Sequence, residues 1–211
     1  AIRYTGTGSD GTLGHGLGVA PSIYIVKRRS SAKDWYVQIG NLTGIDLGRF
    51  LKLNTTDTIN FASDVFAATA DTSTVLNTKS DSATNGSSDT YIAYCFSNVE
   101  GYSKAGVYTG NGSSSNGTFV FTNFRPAWLM IKTTSVSNKG WIIYDTARDT
   151  FNEVTTLMQA ATNSVEVSAA FIDINSNGFK LRTTDDAVNG SGGTYIYLAF
   201  AESPFKNARA R

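Results

Sequence analysis

The stretch Asp173-x-Asn175-x-Asn177-Gly178 holds the residue types closest to a metal site. Oxygen ligands at alternate positions, followed by glycine, suit the first half of a loop for a hard cation such as calcium. The glutamate that would close such a loop is missing, Thr184 stands in its place, and the flanks are strand-like where helices would be needed. The competing reading is a β-hairpin between Phe171-Ile172-Asp173-Ile174 and Phe179-Lys180-Leu181. There Asn177-Gly178 would supply the positive-φ positions of a type I′ turn. The hairpin is the preferred reading, and no metal ligand is assigned.

Gly14-His15-Gly16-Leu17-Gly18 loosely resembles a phosphate loop. It lacks the Lys-Ser/Thr pair, and no helical pattern follows to present N–H groups to an anion. A flexible turn ahead of a strand is expected. His15 is the single histidine, so a Ser-His-Asp triad would have to use it, yet there is no Gly-x-Ser-x-Gly elbow. A histidine-ligated metal would have this one imidazole. Cys95, the single cysteine, excludes an internal disulfide. It lies in the apolar run Tyr91–Phe96 with nothing nearby to lower its pKa, and is expected to be inert.

A glycosidase needs two carboxylates facing across a cleft. The four glutamates, Glu100, Glu153, Glu166 and Glu202, are scattered. The acidic pair Asp145 and Asp149 reads as turn-forming residues beside Arg148 at a strand end. The chain is therefore read as non-enzymatic, with no catalytic residue, cofactor-binding residue or cofactor. Trp35 and Trp141, with Tyr91 and Tyr195, keep two readings open: core anchors, or platforms on which sugar rings stack.

Composition sets the frame for these residues. Charged residues make up 17% of the 211, below the ~25% of an average domain, and Gly, Ser, Thr and Asn take their place. That mixture favours strands and tight turns over long helices. A net charge of +1 leaves no electrostatic footprint for nucleic acid or an anionic membrane. Lys27-Arg28-Arg29 follows an apolar run and reads as a solvated strand end. No apolar run is long enough to span a bilayer, so no membrane insertion is expected. With Ala at residue 1 and no signal-like segment, the chain is expected to be part of a longer or processed polypeptide.

An internal repeat organises the chain. Tyr4-Thr5-Gly6-Thr7-Gly8-Ser9 returns as Tyr108-Thr109-Gly110-Asn111-Gly112-Ser113, an offset of 104. Pro21–Lys27 matches Pro126–Lys132 at 105, and Trp35-Tyr36-Val37 matches Trp141-Ile142-Ile143 at 106. Asn85-Gly86-Ser87 and Thr90-Tyr91-Ile92 match Asn189-Gly190-Ser191 and Thr194-Tyr195-Ile196, both at 104. Strands are expected over 19–27, 35–39 and 90–97, and again over 126–132, 141–145 and 194–201. A helical turn or two is expected within 148–161. The fold class is all-β: two tandem antiparallel β-sandwich modules, jelly-roll-like, over 1–103 and 104–211. The junction has no flexible spacer, so the modules are expected to be tightly packed.

Several motifs resemble one family. They are His15-Gly16-Leu17-Gly18-Val19-Ala20-Pro21 before a strand ending in Lys27-Arg28-Arg29 and then Trp35; Val99-Glu100-Gly101-Tyr102-Ser103-Lys104; Tyr108-Thr109-Gly110-Asn111-Gly112; Phe124-Arg125-Pro126-Ala127-Trp128; and Tyr144-Asp145-Thr146-Ala147-Arg148-Asp149. Ser176–Arg182, Gly192–Tyr197 and Ala199–Lys206 fit as well. Together they resemble a domain of unknown function found in structural proteins of marine tailed phages, near concanavalin-like or laminin-G-like sandwich modules. The resemblance implies a virion surface or tail localisation and no catalytic residues. The partners it implies are other virion proteins, further copies of the chain in a homo-oligomer, and a host-surface glycan. Residues 49–77 and 152–170 depart most from the pattern and are expected to form variable loops or exposed edges, the first place to look for any receptor contacts. Two further readings are a stand-alone lectin-like module and a polysaccharide depolymerase.

Overall fold

Short β-branched and aromatic runs, broken by Gly, Asn and Ser, fold into sixteen β-strands in a computed structural model that describes residues 1–202. The chain divides into two compact units, Ala1–Ser97 and Asn98–Arg211. The first holds β1 (Ile2–Thr5), β2 (Gly11–Gly14), β3 (Ile23–Arg28), β4 (Trp35–Gln38), β5 (Arg49–Lys52), β6 (Asn60–Phe61), β7 (Val75–Thr78) and β8 (Thr90–Phe96). The second holds β9 (Ser103–Thr109), β10 (Phe119–Phe121), β11 (Pro126–Thr133), β12 (Ile142–Asp145), β13 (Val154–Gln159), β14 (Val167–Asn175), β15 (Gly178–Leu181) and β16 (Thr194–Ala201). Among the described residues no helix is long and apolar enough to cross a membrane.

All strand pairs are antiparallel. The first unit has a six-stranded sheet, β1-β8-β3-β4-β5-β6, and a two-stranded sheet, β2-β7. Its core gathers Tyr24, Val26, Phe50, Val65, Phe66, Leu76, Tyr91 and Ala93. The second unit has one continuous sheet, β10-β15-β14-β13-β12-β11-β16-β9. All eight of its strands send side chains into a single core, from Tyr108 on β9 and Val120 on β10 to Phe179 on β15 and Tyr195 on β16. Its two edges meet: Lys104 Nζ on β9 donates to the Phe121 carbonyl on β10 at 2.9 Å, and the Thr118 hydroxyl donates to the Thr109 carbonyl at 3.0 Å. This unit is a nearly closed antiparallel barrel, where two facing sheets were expected. Curling one sheet removes exposed edges, and a single core can then be filled from every strand.

The strands fall where the apolar runs place them, except that the run expected over 19–27 forms a strand only from Ile23, and with two further departures. Residues 148–161 carry β13 and not a helical turn. Val154 and Leu157 on β13 are buried core residues, a spacing that a strand interrupted by a register shift accommodates. Segments 49–77 and 152–170 are more than loops: they supply β5, β6, β7 and β13, with Phe50, Leu51, Val65, Phe66 and Leu76 buried. The Ala199–Lys206 motif lies outside the described residues from Ser203 onward.

The Asn175–Gly178 hairpin forms, with Asn175 opposite Gly178. Its turn is not type I′, because none of its residues has positive φ. Gly178 is needed for another reason: a Cβ there would sit 2.1 Å from the Val120 carbonyl oxygen on β10. The Asn177 carbonyl accepts the N–H groups of Thr122 (3.0 Å) and Asn123 (3.2 Å), which ties the turn to the neighbouring connection.

The sequence repeat is a repeat of contacts. Tyr4 stacks on Tyr91 with ring centroids 5.1 Å apart, and Tyr108 stacks on Tyr195 at 5.0 Å. The Tyr91 hydroxyl accepts Gly86 N–H and donates to the Ser82 carbonyl, both at 2.8 Å. The Tyr195 hydroxyl accepts Gly190 N–H at 2.7 Å and donates to the Asp186 carbonyl at 2.9 Å. Asn85 accepts Thr7 N–H (3.0 Å) and donates to the Ser9 and Lys79 carbonyls, both at 2.9 Å. Asn189 accepts Asn111 N–H (3.1 Å) and donates to the carbonyls of Ser113 (3.0 Å) and Thr183 (2.7 Å). In each unit an asparagine and a tyrosine thus lock the loop before the last strand onto the turn after the first. Gly6 and Gly110 let the two backbones approach: a Cβ would lie 2.2 Å from the Gly86 carbonyl oxygen and 2.4 Å from that of Gly190.

Candidate functional site

The residues singled out for chemistry are each placed by the fold, and most are engaged structurally. Asp173 lies 3.3 Å from Arg182 Nε on the hairpin, so its carboxylate is held by an ion pair. His15 follows β2; its Nδ1 accepts Leu17 N–H at 3.1 Å, so Nε2 carries the hydrogen it donates to the Thr72 carbonyl at 3.0 Å. The imidazole thereby ties the glycine-rich turn to the start of β7, and no helix follows to receive a phosphate. Cys95 on β8 is half-buried, and desolvation pushes its thiol up to about 11, far from a nucleophile at neutral pH. Arg28 pairs with Asp89, so the basic run is partly neutralised at its strand end.

Acidic side chains meet on shared guanidinium groups: Glu153 and Asp173 each lie 3.3 Å from Arg182 Nε, and Asp145 and Glu166 both pair with Arg148. Glu100 lies 3.5 Å from Asn123 Nδ2, Glu153 3.3 Å from Arg182 and Glu202 3.0 Å from Arg125, while Glu166 pairs with Arg148. Asp145 accepts Ala147 N–H at 2.9 Å and sits 3.9 Å from Arg148. Among the described residues, no three His, Cys, Asp or Glu side chains gather where they could hold a metal ion.

Three of the four aromatic candidates are core. Trp141, Tyr91 and Tyr195 are each 0% exposed, so none offers a face to a sugar ring. Trp35 is half-buried: it stacks on Tyr94 with centroids 6.4 Å apart, and Lys27 Nζ lies 5.5 Å from its ring.

Hydrogen bonding sets the acid response. Asp149 accepts Thr155 N–H (2.6 Å), Thr156 N–H (3.1 Å) and the Thr155 hydroxyl (3.1 Å), which together hold its carboxyl below the usual range. The Asn54 amide at 2.9 Å, then Lys52 at 2.9 Å, do the same for Asp34. A carboxyl depressed in the folded state contributes stability that is complete above its unfolded value of about 3.9 and is lost as pH falls toward the folded value. Asp71 acts in the opposite sense. Burial raises its pKa despite Asn77 N–H at 2.7 Å and the Asn41 amide at 2.8 Å, so its contribution survives at low pH and falls away as pH rises through the raised value. Urea midpoints are expected to drop below about pH 4, and Asp34→Asn with Asp149→Asn should flatten that acid limb.

Among the described residues, each unit has a cleft large enough for a small molecule. One of about 370 Å³ in the first unit is bordered by Pro21, Asn41, Gly44, Ala70 and Asp71, whose carboxylate oxygens are already taken by Asn41 and Asn77. The other, of about 300 Å³ in the second unit, lies over Ile142, Tyr144, Leu157 and Val188, with Val167, Asn138, Lys139, Gln159 and Asp185 around it. Lys139 and Asp185 pair across its rim at 3.2 Å. Tyr144 is 1% exposed, and its hydroxyl has no hydrogen-bond partner among the described residues. Its pKa is raised, by burial first and then by the charge of Asp185.

Sequence reasoning missed this cleft. The signal lay in the aligned copies: Ile142 stands where the first unit has Tyr36, and Leu129 where it has Tyr24. Tyr36 packs on Phe50 with centroids 5.6 Å apart, so a large ring fills the position that Ile142 leaves open. No curated protein and no solved structure matches the chain. One family model, a domain of unknown function designated DUF7483, matches residues 1–204, and the chain belongs to that family.

Proposed function

We propose that the chain is a non-catalytic structural module of a tailed-phage particle, carried on a tail fibre, an appendage or the capsid surface, where it supports host attachment or assembly. The observation that carries this reading is the use made of the repeated residues. Asn85, Tyr91 and Gly6, with their counterparts Asn189, Tyr195 and Gly110, are spent on locking loops and not on converging polar groups. The resemblance of the motifs between His15 and Lys206 to structural proteins of tailed phages supports the same reading. Under it the two units are tandem copies of one jelly-roll-like sandwich module, open in the first unit and curled almost shut in the second.

Its partners would be other virion proteins, further copies of the chain and a host-surface glycan. Exposed apolar side chains offer contact area for them: Phe61 on β6, Phe119 and Phe121 on the edge strand β10, and Phe151 and Val165 around β13. Several copies on one particle would add avidity without high affinity per copy. Cryo-electron microscopy of the assembled particle tests the proposal. Density for this fold on the tail, an appendage or the shell is expected; absence of the chain from purified particles overturns it.

A further inference from the structure

The cleft over Tyr144 borders the locked loop before β16: the Asp185 and Val188 carbonyls on its wall accept Asn189 N–H (2.8 Å) and the Tyr108 hydroxyl (2.7 Å). We propose that it binds a single neutral sugar residue, with one ring face against Ile142, Leu157 and Val167 and its hydroxyls toward Tyr144 and the Lys139–Asp185 rim. A volume of about 300 Å³ accommodates one ring and not an extended chain. The two rim charges neutralise each other at 3.2 Å, which gives no preference for a strongly charged ligand. An apolar floor under a polar rim matches a pyranose, which has hydrophobic C–H faces and a polar edge.

The buried hydroxyl supplies the second line of argument. A buried polar group without a partner costs about 1–3 kcal/mol, so one that persists beside a cleft calls for a ligand group to complete it. Gln38, the first unit's counterpart of Tyr144, likewise has a buried Oε1 with no partner among the described residues. Only in the second unit does a small residue, Ile142, open space beside that position. This site is distinct from the Trp and Tyr platforms suggested by sequence, and it stands or falls independently of any place on a particle.

The test is an NMR titration of the ¹⁵N-labelled chain with the methyl glycosides of glucose, galactose, mannose and N-acetylglucosamine, with cyclohexanol as an apolar control. Saturable shifts with at least one glycoside are expected at the amides of Gly140, Ile142, Ala187 and Val188. Tyr144→Phe should weaken binding about tenfold. Val167→Trp, at a position 40% exposed on the cleft wall, should abolish it without disturbing the core. The proposal is overturned by an absence of saturable shifts with all four glycosides, by binding of cyclohexanol alone, or by binding that survives in both variants.

Discussion

Asn189→Ala is expected to lower the unfolding free energy by about 2–4 kcal/mol. Asn189 is fully buried, and its amide accepts Asn111 N–H and donates to the Ser113 and Thr183 carbonyls. Alanine leaves those three backbone groups without their partner. Water reaches the exposed Asn111 turn more easily than the loop behind it, which keeps the cost below the sum of three fully buried losses. Asn85→Ala should have a similar effect, because Asn85 makes the same bonds to Thr7, Ser9 and Lys79. Exposed Asn163 is the control: its replacement by alanine should change stability by no more than about 0.5 kcal/mol. Urea denaturation of the three variants measures all of this.

Gly6→Ala and Gly110→Ala should each cost about 3 kcal/mol or more. The obstacle in each is backbone and ring: the Gly86 carbonyl oxygen at 2.2 Å and Tyr91 Cε2 at 2.9 Å in the first unit, and the Gly190 carbonyl oxygen at 2.4 Å and Tyr195 Cε2 at 2.9 Å in the second. None of these is the free end of a flexible side chain, so relief requires the loop to leave the strand, and the asparagine and tyrosine bonds go with it. Gly16→Ala isolates the other penalty. Its φ is 68° with nothing within 4 Å of a Cβ, so it should cost only the ~1 kcal/mol of holding alanine in the left-handed region. Thermal melts should show Gly6→Ala and Gly110→Ala shifted down by several degrees more than Gly16→Ala.

The repeat made much of the scaffold legible in advance. Matching Tyr4-Thr5-Gly6 to Tyr108-Thr109-Gly110, and Asn85-Gly86 to Asn189-Gly190, located residues that do equivalent work in both units. Apolar runs placed β3, β11 and β16, since strands buried along most of their length are read from composition alone, and β8 although only its Tyr91 and Ala93 are buried. Sheet curvature was not legible. Whether eight strands split into two sheets or curl into one depends on twist and edge contacts, such as Lys104 to the Phe121 carbonyl, which join residues far apart in sequence. Gly178 shows a related limit: Asn-Gly is a strong turn signal, but here the glycine answers a clash with β10 that only the sheet order reveals. The candidate site was the least legible part. Tyr144 and Asp185 are ordinary residues in sequence, and the cleft exists because Ile142 is smaller than Tyr36, a difference in volume that no motif records.

The functional reading rests on the claim that the residues shared by the two units are scaffolding. Native-state hydrogen exchange tests it most directly. The amides of Thr7, Gly86, Asn111 and Gly190 lie outside the strands but donate to the side chains of Asn85, Tyr91, Asn189 and Tyr195. They should exchange within about tenfold of neighbouring amides in β8 and β16, as parts of the same cooperative units. Exchange at the rate of the exposed 162–165 loop would contradict the account and free these residues for another role.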